Sequence, residues 1–355
     1  MALEAVSISI LAIAVAALLL IVNPLRSRDN KPPHPPSWPI IGHIPLLGRS
    51  KQPIHRLLSS LSQRYGPIMH LQLGFRPILV ISSADLAKEC FTTNEKAFAS
   101  RPLTSVGKHI GYDFKMLGLA PYGPYWRNVR KLCRLQLFTA HRIESFRHIQ
   151  EEEISCLIRS LLESWERDIS SVKIKSRLSD LTCNIMMRIV ASKRFSPDLS
   201  PQDRGEVQYF KEMMEETVLL LGTFDIAHYL PFLKWVDPQG IVLAMENLQK
   251  KREVFMDKLL HAHREKRAVH APDLIDVLIS ATENIEIQSD NNDDVVKANA
   301  LAIIIAGADT SAVTIEWALS ALMQHPNALC EAKQELDMHV GRDRLMEESD
   351  IPKLK

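Results

Sequence analysis

An acidic and a hydroxyl side chain stand next to each other in an apolar part of this sequence. Asp309 and Thr310 belong to the stretch AGADTS at residues 306–311, which has apolar runs on both sides. A buried carboxylate or hydroxyl costs free energy unless it is hydrogen-bonded. The pattern therefore predicts a buried pair that is used for chemistry, and a carboxylate beside a hydroxyl is suited to proton transfer.

The residues before this pair predict a local distortion of the helix that carries it. Thr310 lies one helical turn after Ala306, so its hydroxyl can donate to the Ala306 carbonyl and bend the helix. Gly307 has no side chain, and we expect a small groove where it lies.

A second pair of residues has the chemistry to bind an anion. Trp126 and Arg130 are four residues apart, so they share one face of a helix. An indole N–H donor beside a guanidinium suits a carboxylate. The pair alone is also compatible with a packed aromatic ring and an arginine that extends its head group into water.

The composition limits the classes of function. Lys plus Arg is 43 and Asp plus Glu is 42, so the net charge of +1 predicts no nucleic-acid partner. Hydrophobic residues are 46% of the chain and glycines number only 13, which is typical of a helix-rich globular protein. The 5 cysteines are widely spaced without a Cys-x-x-Cys motif, so we predict no disulfide framework and no metal site built from protein ligands.

The amino terminus carries an uncharged apolar run at residues 5–22. As a helix this run would span ~27 Å, enough for one membrane crossing. Glu4 precedes it and basic residues follow it, so the rest of the chain should lie on the cytosolic side. The alternative is a cleaved signal peptide. The missing positive charge before the run and the poor cleavage site at Asn23 and Pro24 favour an uncleaved anchor.

The remaining pattern predicts three parts and a mainly α fold with a small β-hairpin region. We assign residues 1–30 to the membrane anchor and its flanking residues, 31–45 to a proline-rich hinge and 46–355 to a globular domain. Within the last part, residues 68–73 and 78–81 read as two short strands around Gly74, and the chain from residue 121 onward is almost entirely helical.

These features occur in an order that resembles the membrane-bound cytochrome P450 monooxygenases in their plant form. The resemblance extends over essentially the whole chain. It rests on the apolar anchor, the proline-rich hinge, the strand pair with LGFRP at 73–77, the WRNVR segment at 126–130 and AGADTS at 306–311. Further matches are FASRP at 98–102, TIEWALSAL at 314–322 and HPNA at 325–328.

The resemblance implies a haem cofactor and a role for each candidate residue. Trp126 and Arg130 match positions that contact a haem propionate. Ala306 and Gly307 match the kinked part of the helix on the distal side of the haem. Asp309 and Thr310 match the pair that relays protons to dioxygen. Substrate contacts are expected from residues 103–119 and 213–232.

It also implies partners and a location. The expected substrate is a small lipophilic molecule, a specialised metabolite in plant relatives, into which one oxygen atom is inserted. Electrons would come from an NADPH-dependent flavoprotein reductase in the membrane. The expected location is the endoplasmic reticulum membrane, with a single amino-terminal anchor and a cytosolic catalytic part.

The sequence departs from the family in one respect. The family binds haem iron through a cysteine in a Phe-x-x-Gly-x-Arg-x-Cys-x-Gly loop, and no such loop occurs in these 355 residues. Cys330 is the only cysteine after Ser311, in a plain helical context, and the family's Glu-x-x-Arg helix is also missing. We therefore expect a truncated chain that is inactive by itself, with apolar helix faces uncovered.

Three hypotheses remain open at this level. The first is a monooxygenase sequence that is incomplete. The second is a non-catalytic, membrane-anchored fragment that binds a reductase or a full-length relative. The third is a multi-span membrane protein, against which Asp309 and Glu316 argue because they lie within the long later apolar stretch.

Overall fold

The computed structural model describes residues 32–167, 171–195, 201–266, 273–284 and 289–354. The predicted membrane anchor at residues 5–22 lies outside the described residues. The chain divides into two compact units. One unit takes the described residues up to Phe114 with Leu119–Trp126 and Glu216–Lys251, and the other takes Lys115–Gly118, Arg127–Glu215 and the chain from Arg252 onward.

The described residues are mainly helical, as predicted, with one pair of strands. The first helices and the strands are α1 (Ile44–Gly48), α2 (Ile54–Tyr65), β1 (Ile68–Leu73), β2 (Arg76–Ile81), α3 (Ala84–Phe91), α4 (Glu95–Phe98), α5 (Ser105–His109) and α6 (Pro124–Leu137). The later helices are α7 (Ala140–Ser145), α8 (Arg147–Glu166), α9 (Ile174–Ala191), α10 (Pro201–Leu221), α11 (Ile226–Tyr229), α12 (Ile241–Lys266), α13 (Leu274–Glu283), α14 (Asn292–Gln324) and α15 (Pro326–His339). Short 3₁₀ helices occupy Pro231–Leu233 and Glu348–Lys353.

The predicted hairpin is present in the first unit, with a tighter turn than the sequence suggested. β1 and β2 pair antiparallel, and Leu73 lies opposite Arg76, so only two residues form the turn. Gly74 supports this turn with φ at +54°, a left-handed conformation that glycine adopts without strain. Pro77 was expected in the turn but lies within β2, opposite Gln72. An edge strand tolerates proline because the side of the strand that has no partner strand needs no amide donor.

The proline-rich residues 32–39 form no helix, as predicted, and they are bound to β1. The His70 amide donates to the Pro33 carbonyl at 3.0 Å. The buried His43 ring joins the same region, since its Nδ1 accepts from the Gln72 amide and its Nε2 donates to the Pro35 carbonyl, both at 2.8 Å. Proline has no amide N–H but keeps its carbonyl acceptor, and the carbonyls of Pro33 and Pro35 therefore fix the segment to the hairpin.

The core of the second unit is built around the first half of α14. α9 and α13 pack on this helix, and its buried residues all fall between Val295 and Ala312. Met187 of α9 and Leu278 of α13 are completely buried in the same core. The apolar run before Asp309 thus forms a helix that is covered by two others, which is the arrangement expected of a helix with few polar positions.

The length and composition of α14 also pass a test for a membrane-crossing helix. Among the described residues it is the single candidate, with a mean hydropathy of 1.5 in its most apolar window, and 44% of that window is buried inside the protein. The core helices of soluble proteins pass the same test. Its buried first half supports a role as a core helix.

The second half of α14 is uncovered. From Val313 to the end of the helix no residue is buried, and Trp317 and Met323 are 70% and 78% exposed. This agrees with the expectation that apolar faces of the late helices would be uncovered.

Candidate functional site

The start of α14 is fixed by a cap and by charges. The Asn291 side chain accepts from the amides of Asp293 and Asp294 at the first turn. The acidic pair is favourable there because the amino end of a helix carries partial positive charge. Asp293 also binds the guanidinium of Arg264 in a two-pronged contact, and these hydrogen bonds lower the pKa of its carboxyl. The helix that carries the candidate site therefore begins at a defined residue.

The predicted bond between Thr310 and Ala306 is present. The Thr310 Oγ1 donates to the Ala306 carbonyl at 2.5 Å. Thr314 repeats the contact one turn later, with its Oγ1 donating to the Thr310 carbonyl at 2.7 Å. Two successive back-bonds of this kind weaken the local helix ladder. α14 nevertheless continues from Asn292 to Gln324 without interruption.

The expectation that Asp309 and Thr310 are buried is wrong, because both side chains are exposed. The covered stripe of α14 continues through Ala308 and Ala312, which are buried. Residues 309 and 310 follow Ala308 at 100° per residue around the helix and so fall outside that stripe. The acid and the alcohol therefore lie on an accessible face of α14 and not in the core.

The expected groove at Gly307 is also corrected. A Cβ atom at this position would meet the thioether of Met186, on α9. The missing side chain thus makes room for a neighbouring helix instead of leaving a gap. This partner was not predictable from spacing, since Met186 is more than a hundred residues away in sequence.

Trp126 and Arg130 lie one turn apart on α6, as predicted. The Trp126 ring is half-buried, and its centroid is 5.4 Å from that of Tyr122. Arg130 is exposed. The tryptophan is partly engaged by this aromatic neighbour. Trp126 belongs to the first unit and Arg130 to the second.

Sequence reasoning missed one polar residue of α14 that the structure engages fully. Asn299 is completely buried within the apolar run. Its Oδ1 accepts from the Leu117 amide at 2.9 Å, and its Nδ2 donates to the carbonyls of Lys115 and Val295 at 3.0 and 2.8 Å. The sequence shows Asn299 as the single polar residue between positions 298 and 308, but it does not show which groups Asn299 binds.

The two segments that were expected to contact substrate are joined within the first unit. Ser105, at the start of α5, donates to Asp225 Oδ2 at 2.7 Å. Asp225 caps α11 with its other carboxylate oxygen, which accepts from the Ala227 amide at 2.9 Å. Asp225 is buried, so this charge-assisted bond is protected from water.

On α14 a hydroxyl and a carboxylate are exposed within the turn that begins at Ala306, which is itself exposed. The cysteines of the described residues differ in their thiol chemistry. Burial raises the pKa of Cys133 to about 11 and that of Cys183 to about 12, so both thiols stay protonated at neutral pH. Cys330 is exposed on α15, where its sulfur accepts weakly from Gln334 at 3.5 Å.

The same residues can be compared with known proteins. The family model described as Cytochrome P450 matches residues 32–355. A demethylepipodophyllotoxin synthase from Sinopodophyllum hexandrum is 39% identical in an alignment 340 residues long, which covers 93% of this chain and 65% of that protein. A xanthotoxin 5-hydroxylase from Arabidopsis thaliana is 36% identical in an alignment that is 365 residues long with its gaps and covers 98% of this chain and 70% of that protein.

A solved structure gives the same result. A zebra fish cytochrome P450 determined with progesterone superimposes with a TM-score of 0.70 at 25% identity, covering 86% of this chain and 68% of that one. The chain therefore spans about two thirds of the length of the relatives that it matches. The fold, the family model and the relatives agree, and the chain belongs to the cytochrome P450 family.

Proposed function

We propose that this chain is the larger part of a haem-thiolate monooxygenase, which inserts one oxygen atom of dioxygen into a small lipophilic metabolite. The family membership supports a haem cofactor, and the names of the plant relatives support a hydroxylation of a specialised metabolite. The substrate is proposed only as a class. Electrons would be supplied by an NADPH-dependent flavoprotein reductase in the endoplasmic reticulum membrane, where residues 5–22 would anchor the chain.

The observation that carries the proposal is the exposed acid–alcohol pair on α14. Bound haem would supply the activation of dioxygen. The Thr310 hydroxyl, which donates to the Ala306 carbonyl, has lone pairs free to accept a hydrogen bond from a water on the exposed face. Asp309 can take a proton from solvent and return it through that water, because its carboxylate is exposed. Trp126 and Arg130 would hold a haem propionate by donated hydrogen bonds.

We further propose that residues 1–355 do not turn over by themselves, because they contain no cysteine loop to bind the iron. Without a cysteine thiolate the defect would not be graded, since haem would lack both its attachment to the protein and the electron donation that the chemistry uses.

A reduced carbon-monoxide difference spectrum tests both parts. Membranes containing residues 1–355, with haem supplied, should show no strongly red-shifted Soret band. The same chain should show that band when it is joined to the part of the Arabidopsis xanthotoxin 5-hydroxylase beyond the matched region, which by family carries the cysteine loop.

Two results would contradict the proposal. A red-shifted band from residues 1–355 that disappears in Cys330→Ser would mean that a thiolate already reaches the iron. A joined chain that accumulates in the membrane without the band would mean that these residues do not form a working distal half.

The second candidate function is a non-catalytic, membrane-anchored partner of a reductase or of a full-length relative. The exposed apolar residues of α14, among them Trp317 and Met323, favour it because such a surface is typical of a protein interface. It predicts a monodisperse product that co-purifies with the reductase. Aggregation of residues 1–355 without a bound partner would count against it.

A further inference from the structure

We infer that Asn299 is a positioning residue for the lipophilic ligand, because it fixes the segment Lys115–Gly118 against the face of α14 that leads to Ala306 and Thr310. This inference rests on the proposed function in one respect, namely that a small lipophilic molecule binds on that face. The position of the segment itself does not depend on haem.

The first observation is a strained backbone conformation immediately before the segment. Tyr112, Asp113 and Phe114 all have positive φ, at 52°, 52° and 64°. Three consecutive residues with side chains in the left-handed region are strained, and such strain persists only where surrounding contacts over-determine the conformation. The turn is held on α5, where the amides of Asp113 and Phe114 donate to the carbonyls of Lys108 and Gly107.

The second observation is the way in which the segment is held once the turn is complete. It has no helix or strand of its own, yet it belongs to the compact unit that contains α14, while its neighbours in sequence belong to the other unit. Asn299 binds the amide of Leu117 and the carbonyl of Lys115, and Lys115 Nζ also pairs with Asp294 Oδ2 at 2.9 Å. One buried side chain therefore satisfies two backbone groups of the segment.

The third observation is the place of Asn299 on the helix. Asn299 and Ala306 are seven residues apart, which is close to two full turns, so they lie on one stripe of α14. Thr310 continues the stripe one turn later. The segment contributes two apolar side chains here, of which Met116 is buried and Leu117 is half-buried. An apolar boundary about three helical turns before the acid–alcohol pair suits the contact with a lipophilic ligand and not with a charged one.

If Asn299 had only a structural role, it would hold the segment without affecting where a ligand binds. The test therefore needs one measurement of position and one of binding. Asn299→Ala removes the amide, and Asn292→Ala is the matched control. Asn292 is the same residue type on the same helix, and its Nδ2 also donates to a carbonyl outside the helix, that of Thr282 at 3.2 Å.

Hydrogen exchange on residues 1–355 in detergent measures position. In the wild-type chain the Leu117 amide should exchange more slowly than that of the exposed Gly118. This comparison uses only the wild-type chain, so it does not depend on whether a variant folds. Asn299→Ala should accelerate exchange at Leu117 by at least about tenfold, while residues 300–305 stay protected. Asn292→Ala and Lys115→Ala should leave Leu117 protected. Equal exchange at Leu117 and Gly118 in the wild type, or equal loss in Lys115→Ala, would overturn the assignment to Asn299.

Photolabelling with benzophenone, a small lipophilic aromatic ketone, measures binding. Peptide mass spectrometry should place the adduct within residues 115–118 of the wild-type chain and of Asn292→Ala, and the label there should fall several-fold in Asn299→Ala. No label at 115–118 in the wild type, or unchanged label in Asn299→Ala despite faster exchange, would reduce Asn299 to a structural role. Failure of the proposed function would appear separately, as a joined chain without the Soret band whose labelling at 115–118 is intact.

Discussion

The thioether of Met186 lies where a side chain on residue 307 would have to stand, so the glycine of α14 and a methionine of α9 form one packing unit. Gly307→Ala should change the free energy of unfolding little, because the gain in helix propensity of about 1 kcal/mol offsets a small displacement of the flexible methionine. Gly307→Val should cost about 2 kcal/mol, since a branched side chain displaces more of it.

Denaturant unfolding of the full chain in detergent, followed by circular dichroism, measures both effects. The double variant Gly307→Val with Met186→Ala provides the control. It should recover at least about 1 kcal/mol relative to the sum of the single changes, because the two side chains compete for one space. Strict additivity would show that the contact has no energetic weight.

The Thr310 hydroxyl donates to a carbonyl of its own helix, so we expect Thr310 to be needed for function and not for stability. Thr310→Ala should raise the free energy of unfolding by about 0.5 kcal/mol, since it replaces a poor helix former and frees the Ala306 carbonyl for the helix ladder. Thr314→Ala is the matched control because it removes the equivalent bond one turn later.

The two variants should differ in the joined chain that carries a cysteine loop. Thr310→Ala should consume NADPH with little product, and Thr314→Ala should not. A loss of more than 1 kcal/mol of stability in Thr310→Ala, or equal uncoupling in both variants, would make Thr310 a structural residue.

The buried imidazole of His263 makes stability depend on pH. Its Nε2 lies 2.9 Å from Asp273 Oδ2 and its Nδ1 lies 2.7 Å from the Leu259 carbonyl, so both ring nitrogens face acceptors. Burial lowers the pKa of His263. The hydrogen bonds to Asp273 and Leu259 and the nearby acidic charges outweigh that effect, and the net pKa is raised.

The direction of the pH effect follows from that shift. A raised folded-state pKa means that the stabilisation is complete below the unfolded value of about 6.5 and is lost as the pH rises through the higher folded value. The stability difference between the wild type and His263→Gln should therefore shrink from pH 6 to pH 9 in denaturant titrations. The exposed His261, which is 3.4 Å from Glu265 on the same helix, supplies the control His261→Gln, which should leave the midpoint of unfolding close to that of the wild type. A difference that grows with pH would refute the raised pKa.

The carboxylate of Glu153 joins α8 to α9 and to the segment that follows α9, all within the second unit. It is 3% exposed and accepts from Arg188 at 2.8 Å and from Arg194 at 2.6 Å. Glu153→Gln should cost about 2 kcal/mol, less than a fully buried pair, because both guanidinium groups are partly in water. Glu152→Gln is the matched control, since Glu152 contacts the same Arg188 from an exposed position and should have no measurable effect. Equal unfolding midpoints for both variants would contradict the role of burial.

The sequence was sufficient for features that depend on neighbours in the chain. The hairpin around Gly74, the long apolar helix that carries Asp309 and the bond from Thr310 to Ala306 all follow from spacing within one element. Helical and extended periodicity are local properties, so the residue types in a short window determine them. The order of the motifs was likewise enough to predict the family.

Tertiary structure alone decided which side of each element is covered and by what. Asp309 and Thr310 are exposed because α9 and α13 cover the other side of α14. The packing of α9 on α14 also places the Met186 side chain in the space beside Gly307. Asn299 finds its partner amide 182 residues earlier in the chain. Such contacts depend on the packing of whole helices, whose free energy is summed over many distant side chains and is not encoded in any one local pattern.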